Sequence, residues 1–332
     1  MESAETPRIL MKTLVTGAAG FIGSELVRQL IANGQPVVAF DNLATGSWSN
    51  LDGLEPVECI AGDIRDTDSV GRAMRDVASV YHLACINLRR SLYSPRESHE
   101  VNATGTFTVL EAARAAAVER FVYVSTSEVY GTARTVPMSE DHPTFPATMY
   151  GASKLAGEAY ARAFHETYGL PVAIVRPFNF YGPRCHHEGS SGEVIPKFLL
   201  RACAGLPLII FGDGRQTRDF TFVTDTARGI LLAGTVPKAL GRTFNLGSGR
   251  EISMTALAER IAPGVAVVHE PERPGDVRRL LADSTAARET LGFEPRVSFD
   301  EGLALLAEWY ELQKVPVSVL LQQEVVHNWK SR

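Results

Sequence analysis

The chain has 332 residues, 45% of them apolar and 21% charged, with 28 glycines and 18 prolines, a composition that excludes disordered, collagen-like and low-complexity proteins. Its 38 acidic against 33 basic residues give a formal net charge of −5 with no long basic run, so nucleic acid is not an expected partner. Four cysteines (Cys59, Cys85, Cys185 and Cys203) lie far apart with no Cys-x-x-Cys pair, which reads as thiols in a reducing compartment and predicts a cytoplasmic address.

Residues 1–10 lack the basic and apolar regions of a signal peptide and read as an unstructured leader. No apolar run reaches the ~20 residues of a membrane span, so no membrane partner is expected. From Lys12 onward, β-branched runs at 13–16, 36–40, 57–61, 79–84, 121–125 and 172–175 alternate with amphipathic stretches at 22–32, 101–118 and 150–168. Such alternation predicts an α/β fold, a Rossmann-type doubly wound parallel sheet over residues 11–180. The sequon Asn102-Ala103-Thr104 falls inside one of the predicted helices and is set aside as a glycosylation site. Beyond Arg176, Pro177, Pro183, Pro196 and Pro207 interrupt shorter elements, and helices are predicted at 192–204, 224–233, 254–261 and 299–313. Residues 181–320 therefore read as a smaller C-terminal α/β substrate lobe, with some chain crossing between the lobes, and 321–332 as a tail.

The first strand runs into Gly17-Ala18-Ala19-Gly20-Phe21-Ile22-Gly23, a Gly-x-x-Gly-x-x-Gly turn opening a helix. Glycines there permit a tight turn and close backbone approach to a pyrophosphate, which sits on the helix N-terminus where free N–H groups favour anions. Eighteen residues after Gly23, Asp41 ends the next strand, placed to accept hydrogen bonds from the adenosine ribose. A unit charge ~4 Å from a 2′-phosphate costs about 4 kcal/mol per phosphate charge at an effective dielectric of ~20, and no Arg follows in Asn42-Leu43-Ala44-Thr45 to offset it. NAD is the expected cofactor, in preference to NADP. Asp63 and Ile64 follow the third strand, where an Asp side chain could meet the adenine amino group, and Leu83 and Ala84 end the fourth run; all four are expected at the cofactor.

Tyr150 and Lys154 stand four apart at the start of a predicted helix and so share one face. An ammonium there favours phenolate, and Lys154 together with the cation of an oxidised nicotinamide would make Tyr150 a general base. Ser125-Thr126-Ser127-Glu128-Val129-Tyr130-Gly131 places hydroxyls at the carboxyl edge of the sheet, where such folds bind ligands. Taken together with His82-Leu83-Ala84 and Arg176-Pro177-Phe178-Asn179-Phe180-Tyr181-Gly182-Pro183-Arg184, these motifs resemble the extended short-chain dehydrogenase/reductase family of nucleotide-sugar epimerases, dehydratases and decarboxylases. The resemblance covers about residues 11–312.

What the resemblance implies is a tightly bound NAD, used and regenerated in each turnover. Tyr150 would deprotonate a sugar 4-hydroxyl, Thr126 would hydrogen-bond the same oxygen, and Lys154 would also hold the nicotinamide ribose. Asn179, Arg218 and Arg273 match positions that hold a UDP-, dTDP- or GDP-linked sugar, and Arg90 and Val194 are expected on the same substrate surface. Asn102 matches a structural asparagine.

Three outcomes open from a 4-keto sugar: epimerisation, loss of water, or loss of a C5 carboxylate. A family 4,6-dehydratase usually shows Thr-Asp-Glu where this chain has Thr126-Ser127-Glu128, a run that resembles hexuronate decarboxylases and some amino-sugar dehydratases. The closing segment Arg273-Pro274-Gly275-Asp276-Val277-Arg278 through Leu291-Gly292-Phe293-Glu294-Pro295, however, resembles that of 4-epimerases, and 4-epimerisation is the expected reaction. Dehydration and a UDP-glucuronate-type decarboxylation are the alternatives, and a dinucleotide-binding redox sensor is the non-enzymatic one. If the strand stays extended past Thr126, Glu128 faces the sugar with it. The segments 85–90 and 185–190 depart from the family pattern and are expected to shape sugar specificity. His186, His187 and Glu188 are adjacent and cannot readily converge on one ion, so no metal is expected. A homodimer is expected through helices 104–117 and 152–168, with Phe107, Leu110, Val118, Ala159, Ala163 and Phe164 at the contact.

Overall fold

The computed structural model of the chain describes residues 11–330; the segment read as a leader lies outside them. Strands β1 (Lys12–Thr16), β2 (Val37–Asp41), β3 (Val57–Ala61), β4 (Val77–His82), β5 (Arg120–Val124) and β6 (Val172–Pro177) are the β-branched runs of the sequence, joined by helices α1 (Phe21–Ala32), α2 (Thr67–Ala73), α3 (Leu88–Tyr93), α4 (Pro95–His99), α5 (Thr106–Ala115) and α6 (Met149–Tyr168). The second half contributes β7 (Asn179–Tyr181), α7 (Val194–Cys203), β8 (Leu208–Phe211), β9 (Thr217–Phe222), α8 (Val223–Thr235), β10 (Thr243–Leu246), β11 (Glu251–Ser253), α9 (Met254–Ile261), β12 (Val267–Glu270), α10 (Thr285–Leu291), α11 (Phe299–Leu312) and α12 (Val317–Leu321).

The main sheet has seven strands in the order β10-β6-β5-β4-β1-β2-β3, all parallel. Its central strands are buried on both faces, which is why they read as near-continuous apolar runs. One face packs Val80, Phe121 and Ile174 against Val109, Leu110 and Phe164, and the other packs Val15, Val122 and Val175 against Leu26, Ile230 and Phe244. The sheet does not close at residue 180. α8 lies on α1, β10 pairs with β6 so that Asn245 stands opposite Arg176, and α10 covers that edge. A three-stranded sheet β11-β9-β7 and a two-stranded sheet β12-β8 build the substrate lobe around Phe198, Leu208, Phe220 and Leu257.

α6 begins at Thr148, whose hydroxyl accepts from Gly151 N (3.2 Å), and ends at Gly169 in the left-handed region (φ 71°). Its middle is anchored by Glu158, fully buried, which accepts from Arg176 Nε (2.9 Å), Arg176 Nη2 (2.7 Å) and Ser125 Oγ (2.6 Å). The third guanidinium nitrogen of Arg176, Nη1, donates to the Tyr130 hydroxyl (2.8 Å), which donates on to Asn245 Oδ1 (2.7 Å). This network fixes α6 against the carboxyl ends of β5, β6 and β10. Asn102 is likewise structural: its amide takes the Ile86 N–H (2.7 Å) and donates to the Ile86 carbonyl (3.1 Å) and to Ser153 (3.1 Å).

Candidate active site

β1 and β4 are adjacent, and their connections leave toward opposite sides, so a crevice opens beyond their carboxyl ends. The glycine turn occupies it. Gly17 has φ +70°, and a Cβ there would stand 2.8 Å from Ala84 N; a Cβ on Gly23 would stand 2.0 Å from the Gly17 carbonyl. Only glycines allow this turn to fold so tightly onto the chain after β4. Gly20, Phe21 and Ile22 line the cavity on the turn side, and Leu83 and Ala84 line it from the strand opposite.

At the end of β2, the Asp41 carboxylate accepts from Ala19 N (3.0 Å) and Leu43 N (2.8 Å). Burial pushes its pKa up against those two bonds. Asp41, Asn42 and Ile64 face the cavity. Asp63 turns instead to Arg65 (2.7 Å) and accepts from Asn42 Nδ2 (3.2 Å), and the guanidinium holds its carboxyl at about 2. The sequence reading put both members of this pair at the cofactor; Ile64 is the one on the wall, because Arg65 closes on Asp63 from two residues away.

Further along the same cavity lie Tyr150, Lys154, Thr126, Ser127 and Glu128. Lys154 is fully buried, its ammonium 4.4 Å from the centre of the Tyr123 ring, and burial lowers its pKa. Burial raises the Tyr150 phenol well above its ordinary value, the Cys85 thiol beside it pushes the same way, and a hydrogen bond with Thr126 pulls it down. His82, between Thr16 Oγ1 (2.7 Å) and Thr106 Oγ1 (2.9 Å), is pushed down to about 3 by burial, with Lys154 adding to the effect, and is a neutral part of the core.

The strand that leads to Thr126 stops at Val124, and Ser127–Val129 form a 3₁₀ turn capped by Thr126. The alternation argument for Glu128 thus fails, since the backbone is no longer extended there. Glu128 still reaches the cavity wall, carried round by the turn. Burial raises its pKa, opposed chiefly by Arg218 and Arg273.

The cleft continues past these groups into the substrate lobe, and Arg89, Asn179, Glu193, Arg218 and Arg273 line both halves. Arg218 Nη2 (2.5 Å) and Arg273 Nη2 (2.9 Å) both donate to Asp276 Oδ1. Asn179 Oδ1 and Arg273 Nε are buried without partners among the described residues, which marks them as groups a polar ligand would satisfy. Val194 opens α7 on the far half. Arg90 touches the near half but is held by Glu97 (2.6 Å); its neighbour Arg89, which the sequence reading passed over, stands at the junction in a two-point ion pair with Glu193 (2.8 and 2.9 Å). Glu193 and Gln216 were also passed over, because no motif spacing marks them, and Asp276 was quoted only as part of the motif of Arg273. Of the loop 185–190, His186 lines the cavity with its Nδ1 at 2.5 Å from Glu188 Oε1, Cys185 is buried, and His187 turns to Tyr310 (3.3 Å).

A dinucleotide cradle that opens onto a tyrosine–lysine helix, with a separate lobe beyond it, is the architecture of the extended short-chain dehydrogenases/reductases. The family model described as GDP-mannose 4,6 dehydratase matches residues 14–306, and the chain belongs to this family of NAD-dependent nucleotide-sugar epimerases and dehydratases. It is 42% identical over 310 residues to the UDP-glucose 4-epimerase of Mycolicibacterium smegmatis, a match covering 90% of this chain and 98% of that one. Among solved structures, the UDP-glucose 4-epimerase of Thermotoga maritima with UDP-glucose is similar at a TM-score of 0.87 and 35% identity, covering 91% of this chain and 99% of the other. The dTDP-glucose 4,6-dehydratase of Streptomyces venezuelae, solved with NAD bound, is similar at a TM-score of 0.85 and 35% identity, covering 92% and 98%.

Proposed function

We propose that the protein is a nucleotide-sugar 4-epimerase that passes through a transient 4-keto sugar and keeps NAD as a resident cofactor. The observation that carries this reading is the wall beside Tyr150: Thr126 and Glu128 flank a serine, Ser127, where dehydration of a 4-keto sugar calls for an acid toward the C6 hydroxyl. The similarity to UDP-glucose 4-epimerases supports it.

The cradle fits NAD, since Gly17 and Gly23 leave no room for side chains and Asp41 presents a carboxylate where the adenosine ribose would lie. NAD supplies a hydride acceptor and donor at the sugar C4. Tyr150 takes the proton from the 4-hydroxyl and returns it, and the Thr126 hydroxyl, hydrogen-bonded to that phenol, orients the same oxygen. Lys154, buried one helical turn after Tyr150 on α6, brings a positive charge that favours the ionised phenol. Arg218, Arg273 and Asn179 hold the diphosphate, the guanidinium groups giving planar, two-point contacts. With the diphosphate fixed there, bound NAD would supply the hydride whose return to the opposite face of the 4-keto sugar gives the C4 epimer.

A second reading, chemistry at C5, draws on Glu128: a carboxyl whose pKa burial raises is suited to carry a proton beside Thr126. A panel of UDP-, dTDP- and GDP-sugars that includes UDP-glucuronate, read by mass spectrometry, separates the readings. A new isomer of unchanged mass is the expected product. Loss of water or carbon dioxide overturns the epimerase in favour of the alternatives, and NAD binding without conversion of any sugar points to the redox sensor.

The enzyme works as a cytoplasmic homodimer in this reading. Phe107, Tyr160 and Tyr168 are exposed along α5 and α6, with Phe107 edge-on to Tyr160 at 5.8 Å, and Ala159 and Ala163 stand beside them. Leu110, Val118 and Phe164, assigned to the same contact from sequence, are buried under the sheet and so belong to the core. Light scattering at micromolar concentration should give twice the chain mass; a monomer mass contradicts the dimer. Among the described residues no helix is long and apolar enough to cross a membrane.

A further inference from the structure

Residues 307–332 lie beyond the family-model match, and of the stretch read as a tail, residues 321–330 pack back over the substrate lobe. Leu320 of α12 is buried in that lobe's core. From there the chain runs along α7, where Gly189 N donates to the Gln323 carbonyl (2.9 Å), Arg201 Nε to Glu324 Oε1 (3.0 Å) and Lys197 Nζ to the Val325 carbonyl (2.7 Å). Asn328, 3% exposed, donates from Nδ2 to the Gly192 carbonyl (3.0 Å), and Trp329 closes the run edge-on against Phe211 with ring centres 4.6 Å apart.

Glu324, Val326 and Asn328 thereby become a wall of the far half of the cleft, the half that shares Arg89, Arg218 and Arg273 with the Tyr150 cavity but extends away from it. Gln216 lines the same half, 8% exposed; its Nε2 donates to the Phe211 carbonyl (2.7 Å), while its Oε1 is buried without a partner. Among the described residues no donor reaches Asn328 Oδ1 either. Among the described residues two amide oxygens without donors therefore line this half of the cleft, that of Gln216 fully buried, and a ligand N–H is the group that satisfies them.

On the nucleotide-sugar reading above, the sugar lies at Tyr150 and the diphosphate at the arginines, which leaves this half for the nucleoside. We propose that Gln322–Trp329 is a resident wall of the nucleoside pocket and that Asn328, with Gln216, reads the base through its ring N–H. Uracil, thymine and guanine carry such a group. Cytosine and adenine present an unprotonated ring nitrogen at that edge, which would face the two carbonyl oxygens lone pair to lone pair and be rejected.

Calorimetric titration of the NAD-loaded protein with UDP, dTDP, GDP, CDP, ADP and inorganic pyrophosphate tests this. At least one of UDP, dTDP and GDP should bind ~10-fold or more tighter than CDP, ADP and pyrophosphate. Asn328→Ala should weaken that ligand ~3- to 10-fold, the range of one net hydrogen bond, and narrow its lead over CDP, with pyrophosphate unchanged. Val326→Phe, which adds bulk to the same wall, should weaken every nucleotide and leave pyrophosphate alone, and it carries the test if Asn328→Ala does not fold. Nucleotide affinities that stay within twofold in the folded variants, or a wild type that binds nucleotides no better than pyrophosphate, overturn the nucleoside wall while leaving the reaction at Tyr150 untouched. A wild type that binds neither nucleotides nor pyrophosphate overturns the nucleotide-sugar reading as well.

Discussion

Glu128 is tied to Thr126 through its own backbone: its N–H donates to Thr126 Oγ1 at 3.2 Å, capping the 3₁₀ turn that sets both residues on the cavity wall. A carboxyl thus stands beside the hydroxyl that touches Tyr150, yet proton and hydride exchange at C4 alone gives it no proton to move. Glu128→Gln, which keeps the shape and removes the charge, should lower turnover less than ~10-fold. A loss of ~10² to 10⁴, the usual worth of a general acid or base, with NAD still bound, would assign it to chemistry at C5.

Tyr150→Phe should leave nucleotide-sugar binding close to wild type and lower turnover ~10²-fold or more. Because the phenol acts as a base, the rate rises with pH through its pKa. The structure shows burial raising that pKa, and Lys154→Met, which removes the opposing positive charge, should move the rising limb of the pH–rate profile to higher pH. A limb that stays in place in Lys154→Met would remove the lysine from this role.

The Asp41 carboxylate serves two backbone N–H groups as well as facing the cavity. Asp41→Ala should narrow the preference for NAD over NADP, since it removes the charge that repels a 2′-phosphate, and it should also cost about 1 to 3 kcal/mol of stability by stranding those donors. Asp41→Asn keeps an acceptor and should narrow the preference with a smaller drop in melting temperature. Equal loss of affinity for both cofactors would show that the charge does not discriminate.

Lys197 lies in the far half of the cleft, and burial lowers its pKa from the ordinary lysine value to about 8, with the positive charge of Arg89 adding to the effect. Below about pH 8 its ammonium is present and attracts a diphosphate; above it the group is neutral. Nucleoside diphosphate affinity should therefore fall as pH rises through about 8, with proton uptake on binding near that pH. Lys197→Met should abolish both effects. Calorimetry in buffers of different ionisation enthalpy reads the proton count directly, and identical heats in those buffers at pH 8 would exclude the lysine.

The cofactor cradle and the Tyr150–Lys154 pair were legible because their spacing is local: a turn, a strand end and one face of a helix each lie within a few residues. β10 joins the sheet, and α8 and α10 pack on it, through contacts that the local pattern does not encode, such as the pairing of Asn245 with Arg176, so residue 180 looked like a boundary. The turn at Ser127–Val129 escaped notice because Thr-Ser-Glu is as compatible with a strand end as with a cap. Arg89 and Arg90 are indistinguishable as adjacent letters, and only α3 decides that one meets Glu193 and the other Glu97. The C-terminal segment did carry a signal, the apolar Val317, Leu320, Leu321 and Trp329, which a solvated tail would not need.

The fate of the hydrogens tests the epimerase account most directly. If C4 alone reacts, incubation of the purified, NAD-loaded protein with its nucleotide sugar in deuterium oxide should give the C4 epimer at unchanged mass, with no deuterium on any carbon, because the hydride that leaves C4 is the one that returns. Deuterium on a sugar carbon, or a product lighter by water or carbon dioxide, would mean that the C5 position reacts and would contradict the account.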